Sequence, residues 1–299
     1  MLNARSTGEK IFEVFNVIFM VLFGFITLFP FWYVLVASFN LGSDYVRGGV
    51  YFWPRVFTLE NYQWALKDSR IFSSLNVSLW RTVIGVVTSL FFTALIAFAV
   101  IKETLPGRTA FTFFFYFTTL VGGGMIPYYL LLRDLGLTRS FLLYIIPSFY
   151  SFFNFVLMRT YFKTIPLELW ESAEVDGAGP VAVLFKIYIP LAAPVLATLA
   201  LFIGVGHWND WFTAAYYQAD RTLWPAATVL RELLREVSTQ AMEAGRLSRE
   251  IWNDNEMRSY TPQSVQYAFV MILTMPIVVI YPFLQKYYVK GVMIGAVKG

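Results

Sequence analysis

The chain is 299 residues long and has no cysteine and a single histidine. Without cysteine there is no disulfide framework and no thiolate ligand. With His207 as the one imidazole, a buried zinc site is not expected, and no metal ligand set is predicted. Charge is also scarce. Only 14% of residues are Asp, Glu, Lys or Arg, where a soluble domain carries about 25%. No run of five basic residues occurs and the net charge is only +4, so nucleic acid is excluded as a partner. The pattern G-x-x-x-x-G-K-[ST] is missing too, so the chain has no Walker A loop for ATP. No catalytic residues are predicted.

Apolar residues make up 58% of the chain, with 30 Phe among them. They gather into six stretches of 20 residues or more: Phe12–Phe39, Val77–Ile101, Thr109–Leu132, Phe141–Phe162, Leu191–Tyr217 and Val265–Leu284. That length matches the hydrocarbon thickness of a bilayer, and uninterrupted helices satisfy their own backbone there. The expectation is an all-α integral membrane protein of six transmembrane helices, a single domain over 1–299. The first stretch is too long for a signal peptide and is read as a retained span, with Pro30 expected to kink it. Six spans put both termini on one side. Lys and Arg number ten on that side and twelve on the other, so charge does not set the orientation.

Two segments on the far side are long. Residues 40–76 hold an aromatic patch, Tyr51-Phe52-Trp53-Pro54, suited to a membrane interface. Residues 218–264 contain Leu230, Leu233 and Leu234 at helical spacing, which predicts a short amphipathic helix over Ala226–Glu236. Arg81 and Asp210 are charges inside apolar stretches and could pair. Arg81 lies only five residues into its span and is expected to snorkel to the interface. His207 is expected to be packed and hydrogen-bonded. Gly122–Gly124 predicts a kink or a close helix approach within the third span.

The segment 163–190 carries the sharpest pattern. Pro166 suits the first turn of a short helix. Glu168 and Glu171 sit near that helix's positive end, and Asp176-Gly177 predicts its stop, with Gly in the left-handed position. Pro180 begins a second helix and Pro190 leads into the next span. The result is helix, tight turn, helix between two spans.

These residues resemble the EAA loop of ABC-importer permeases, E-A-A-x3-G-x9-I-x-L-P. Glu171, Ala173, Gly177, Ile187 and Pro190 match at that spacing, while Ser172 and Ile189 are conservative departures. Phe52-Trp53-Pro54 followed by Thr58-Leu59-Glu60-Asn61-Tyr62 resembles the first outer loop of the maltose-type "G" permease. His207-Trp208-Asn209-Asp210-Trp211-Phe212 is similar to the family's W-N motif. Gly122–Tyr128 is similar to a subgroup of oligosaccharide and polysaccharide importers that includes alginate-type permeases. Lys290-Gly291 and Gly295–Gly299 resemble the family's C-terminus, so the chain is expected to be complete.

The resemblance implies a type I ABC importer fold in a bacterial inner membrane, with both termini cytoplasmic. It implies a second homologous permease subunit, two ABC ATPase subunits that bind ATP and Mg, an extracytoplasmic substrate-binding protein and surrounding lipid as partners. This chain itself would hold no cofactor. Glu171, Ser172, Ala173, Asp176, Gly177, Ile187, Ile189 and Pro190 would couple to an ATPase, with Glu171 meeting a basic residue there. The substrate would be an oligosaccharide or polysaccharide, the alginate kind among the candidates, moved inward by alternating access.

A sugar path needs rings and polar groups. Tyr150, Phe153 and Asn154 in the fourth stretch and Trp208, Asn209, Asp210 and Trp211 in the fifth supply them, since a polar residue at membrane depth is a functional candidate. Packing or helix binding would also account for this group. The competing classes are an intramembrane enzyme, which needs clustered acids or His at one cavity, and an ion-coupled carrier, which favours repeated acidic sites and inverted halves. Neither pattern occurs in the sequence.

Overall fold

The computed structural model describes residues 7–102, 105–247, 261 and 263–279. Its elements are helical. The end of the sixth apolar stretch, much of the segment after Leu247 and the tail Lys290–Gly299 lie outside the described residues. Contacts divide the chain into two units, Met1–Asp68 with Leu233–Thr274, and Ser69–Glu232 with Met275–Gly299.

In the first unit, helix α1 (Thr7–Ser38) runs 32 residues through Pro30. Its apolar side chains are exposed on every side, from Ile11 and Phe12 to Phe31, which only an apolar surrounding can satisfy. Helix α2 (Glu60–Lys67) follows. Two fully buried asparagines order the intervening loop. The Asn61 amide donates to the carbonyls of Ser38 (2.9 Å) and Asn40 (2.8 Å), and Ser264 Oγ donates to Asn61 Oδ1 at 2.8 Å. Asn40 donates to Asp44 at 3.0 Å and accepts from the Val56 N–H at 3.1 Å. The Asn40 amide, and then Arg55, hold the Asp44 carboxyl below its ordinary value. Phe52 and Trp53 stay exposed beside α1, the Trp32 indole N–H donating to the Phe52 carbonyl at 3.0 Å.

The second unit is built around helix α3 (Ser69–Ile101), 33 residues long. Its buried face is small or polar along most of its length, with Ser74, Ser78, Arg81, Gly85, Ser89, Thr93 and Ala97, and apolar near its ends at Ile71, Phe98 and Val100, while Phe72, Trp80, Val83, Val87 and Phe91 point outward. This inverts the soluble pattern. Small and polar groups turn inward because hydrocarbon gives no drive to hide leucines, whereas close backbones and shared hydrogen bonds hold helices together. The other elements of this unit are α4 (Arg108–Leu120), α5 (Met125–Asp134), tight helical turns over Phe141–Ser148, α6 (Phe152–Phe162), α7 (Glu168–Val175), α8 (Pro180–Leu191), α9 (Ala193–Asn209) and α10 (Phe212–Tyr217). Helices α11 (Ala226–Leu247) and α12 (Gln263–Val279) complete the described chain. Helix α9 lies against α3 through glycine: a Cβ on Gly85 would sit 2.3 Å from Nε2 of the buried His207, and one on Gly204 would meet Val86 at 3.5 Å.

Three apolar stretches depart from the expected uninterrupted spans. Thr109–Leu132 breaks into α4 and α5, bent by 117° at Val121–Gly124. Gly124 has φ +82° and a Cβ on Gly122 would meet nothing, so the glycines make a turn and not a close helix approach. Phe141–Phe162 bends by 47° before α6, and Leu191–Tyr217 divides at Asp210–Trp211 into α9 and α10. At the start of that stretch, where Pro190 was expected to lead into the span, α8 meets α9 at 81°. The last bend follows from Pro190 and Pro194, which lack the N–H groups a continuous helix needs there. Two helices, Gly8–Ser38 and Ser69–Ile101, are each long and apolar enough to cross a membrane. Helix α3 also begins eight residues before the apolar stretch at Val77, so residues 69–76 are helix and not loop. Helix α11 runs past the expected stop at Glu236 to Leu247.

Gly85→Ala should therefore destabilise the α3–α9 contact by about 1–3 kcal/mol, the usual cost of overpacking. The check is a lowered melting temperature of the purified protein in detergent. An unchanged value would refute the tight contact.

Candidate functional site

Two places gather the chemistry. The first is α7 and its stop. Helix α7 ends in a Schellman arrangement: the Ala178 N–H reaches the Ala173 carbonyl at 2.9 Å and the Gly177 N–H reaches the Glu174 carbonyl at 3.0 Å. Gly177 carries the required left-handed conformation at φ +80°. Ala173 thus supplies the carbonyl of the wider cap bond and Gly177 the N–H of the narrower one. Glu171, Ser172, Asp176, Gly177 and Pro190 are exposed. Ala173, Ile187 and Ile189 are half-buried and pack on the core. The motif separates into an outward polar edge and an inward apolar anchor.

Trp170 was not among the expected residues, and it fastens α7 in place. It is buried and stacks on Phe98 of α3 at 4.5 Å, with Tyr188 of α8 edge-on at 5.8 Å. Its indole N–H donates to Glu174 at 2.6 Å, and Lys102 donates to the same oxygen at 3.0 Å. Those two donors hold the Glu174 carboxyl below its ordinary value, the indole most of all. A tryptophan among the three glutamates of this eight-residue helix is the sequence signal that marks it. Around it the outer surface carries Leu167, Val175 at 87% exposure and Val181. Exposed apolar side chains rimmed by acids are the composition of a docking face.

The second place is a polar cavity of about 340 Å³ between α3, α5, the turns over Phe141–Ser148, α6 and α9. Arg81 is buried against its protein neighbours, so the expected snorkelling does not occur. Its Nη1 donates to the Asp210 carbonyl at 2.9 Å and its Nη2 donates to the Asp210 carboxylate. The guanidinium lies 4.4 Å over the Tyr144 ring. Asp210 sits extended between α9 and α10, and its Oδ1 accepts the Thr213 N–H at 3.0 Å. The Tyr144 hydroxyl donates to the Leu223 carbonyl at 2.8 Å. Arg81 Nε and the Tyr150 hydroxyl are buried without a hydrogen-bond partner among the described residues.

Of the expected pathway residues, Tyr150, Asn154 and Asp210 line this cavity. Trp208 lines a separate apolar groove of about 300 Å³ with Val83, Gly204 and Pro276. Phe153 is exposed beside Phe202, and Asn209 is exposed. Trp211 lies under the Arg231 guanidinium at 3.7 Å. Cavity residues outside the expected group are Ser89, Tyr128, Tyr144, Ser148 and His207. For Ser89 the signal was present: serines 74, 78 and 89 and Gly85 follow one helical stripe with Arg81.

No family model matches the chain. It is 36% identical over 297 residues to Protein LplC of Bacillus subtilis (strain 168), covering 99% of this chain and 97% of that protein. It is 34% identical over 294 residues to the polygalacturonan/rhamnogalacturonan transport system permease protein YtcP of the same organism, covering 97% and 99%. Among solved structures it is similar to a chain of a bacterial ABC transporter involved in the import of the acidic polysaccharide alginate. That match has 31% identity, a TM-score of 0.84, and covers 95% of this chain and 99% of that one. A second alginate-transporter chain, at 15% identity and a TM-score of 0.56, shares the fold. With whole-length relatives above 30% identity and the EAA-type cap in place, this chain belongs to the family of ABC transporter permeases.

Proposed function

We propose that this chain is one half of a heterodimeric carbohydrate importer. It is read as a single permease domain over 1–299, with six spans and both termini in the cytoplasm of a bacterium. Three of those spans are broken helices. The single observation that carries the proposal is the exposed, Schellman-capped helix α7, fastened to the end of α3 by Trp170 and Glu174. A short helix that presents acids and apolar groups outward while gripping a long helix inward is built to pass displacement from a partner to the bundle.

In this reading α7 docks in a cleft of an ABC ATPase subunit, and Glu171 meets a basic residue there. Two ATPases bind ATP and Mg and supply the energy, and an extracytoplasmic binding protein delivers the sugar. Closure of the ATPases moves α7, α3 follows, and the cavity around Arg81 changes its access from one side to the other. That is a two-state element biased at both ends. YtcP and the alginate transporter, named for acidic polymers, support an oligosaccharide or polysaccharide as cargo. Tyr150, Asn154 and Asp210 are assigned to the pathway because they share the polar cavity. Trp208 and Trp211 are assigned more weakly, since they face other surroundings.

Gly177→Asp tests the coupling. A non-glycine side chain in the left-handed region costs about 1–2 kcal/mol, and the new carboxylate projects from the docking edge. The chain should still insert, while co-purified ATPase and sugar uptake both fall sharply. Normal uptake would sink the coupling role.

Asn154→Ala tests the pathway. Loss of one polar contact to cargo is worth roughly 1–1.5 kcal/mol, or about a tenfold drop in uptake, with assembly intact. Trp208→Ala should cost less than Asn154→Ala. The reverse order, measured as initial uptake rates in proteoliposomes, would move the sugar path to the apolar groove.

A further inference from the structure

Arg81 and Asp210 are unequal partners. The Arg81 side chain is 3% exposed and the Asp210 side chain 27%. Asp210 has a second donor, the Thr213 N–H, and its exposed edge can take water. If it let go of Arg81 it would still be satisfied. Arg81 has no such freedom, because a buried guanidinium without an anion costs several kcal/mol.

The hydrogen bonds themselves are incomplete. A guanidinium offers a fork to a carboxylate, two parallel N–H bonds from neighbouring nitrogens. Asp210 does not fill a fork on Arg81. Its backbone carbonyl takes Nη1 and its carboxylate takes Nη2. Nε, which shares the other edge with Nη2, is buried and unpartnered. The Tyr150 hydroxyl, lining the same cavity, is also unpartnered. Both atoms are shut off from solvent in this arrangement, so a ligand reaches them only when the side chains around Arg81 move, and each then has a hydrogen bond still to make.

We propose that the Arg81–Asp210 pair is a displaceable latch, and that the carboxylate of an acidic sugar residue takes the Nε–Nη2 edge of Arg81 in place of Asp210. This rests on the carbohydrate-import reading above and adds to it the residue that recognises charge. An incoming uronate makes two parallel bonds where the Asp210 carboxylate makes one. Asp210 keeps the Thr213 N–H and turns to water. The cavity gains one negative charge, matched by the guanidinium that Asp210 has released. A neutral sugar can donate to Asp210 but cannot fill the fork, so it leaves the latch shut. The closing of the latch after release restores the empty state without leaving Arg81 alone.

The test uses the purified complex of this chain with its native partners in nanodiscs, without the binding protein. The probes are α-1,4-linked tetragalacturonate and its methyl ester, which share one backbone and differ in charge. Calorimetric titration should show the acid bound about tenfold more tightly than the ester, the worth of one charge-assisted hydrogen bond. Asp210→Asn removes the competing carboxylate and should tighten the acid further, with no gain for the ester. Arg81→Gln should abolish the preference. Should that variant fail to assemble, Arg81→Lys keeps a point charge without the fork and should shrink the preference. Equal binding of acid and ester by the unaltered complex, or a preference that survives loss of the fork, overturns the latch. A complex that couples ATP hydrolysis to uptake of neutral oligosaccharides but ignores charge overturns the latch and leaves the importer reading standing. A chain that purifies without an ATPase overturns the importer reading itself.

Discussion

A positive charge shut away from solvent must be given a counter-charge, and Arg81 imposes that demand on everything around it. Its anion comes from Asp210, which the chain can present only by ending α9 at Asn209 and extending one residue. The same carboxylate then caps the restart at α10 through the Thr213 N–H. For the two side chains to meet, α3 and α9 must lie close, and Gly85 against His207 provides the room. Breaking such a pair by removing one member costs about 3–5 kcal/mol. The ion pair and the Gly85–His207 contact thus act at the same place on the α3–α9 interface.

Helix α3 joins the two chemically distinct places. Arg81 and Phe98 are 17 residues apart on it, a separation of about 25 Å at 1.5 Å per residue. One end borders the polar cavity. The other stacks on Trp170, whose aromatic contacts are worth about 0.5–1.5 kcal/mol each beyond the area they bury. Lys102 and Glu174 add an ion pair on the exposed side, a minor contribution at the surface. A continuous helix is stiff along its axis, so under the proposed function a displacement of α7 would reach Arg81 without any relay of loops.

Much of this was legible in the sequence. The apolar stretches announced a helical membrane protein, and Pro166 with Asp176-Gly177 announced the capped helix, whose stop needs a glycine in the left-handed region. The breaks were not legible from hydropathy, which averages over a window and cannot see that Gly122–Gly124 turns the chain by more than a right angle. Arg81 was misplaced because a count of residues from Val77 cannot show the protein neighbours that bury it. Residue type named the pathway candidates but not their faces. Tyr150 and Asn154, four apart, do share the cavity, while Trp208, one residue from His207, falls on the opposite groove. Adjacent helical positions point some 100° apart, and only the packing says which direction is wet.

The right-angle break has a bearing on biogenesis. Helix α4 has 13 residues and α5 has 10, about 20 Å and 15 Å of helix against a hydrocarbon layer of about 30 Å. Neither piece can settle across a bilayer by itself. Helix α4 finds its partners in residues made later, with Phe115 against Tyr150 and Phe155, and Tyr116 against Phe152. The final placement of this segment therefore depends on residues made after it, and its own hydropathy does not supply those contacts.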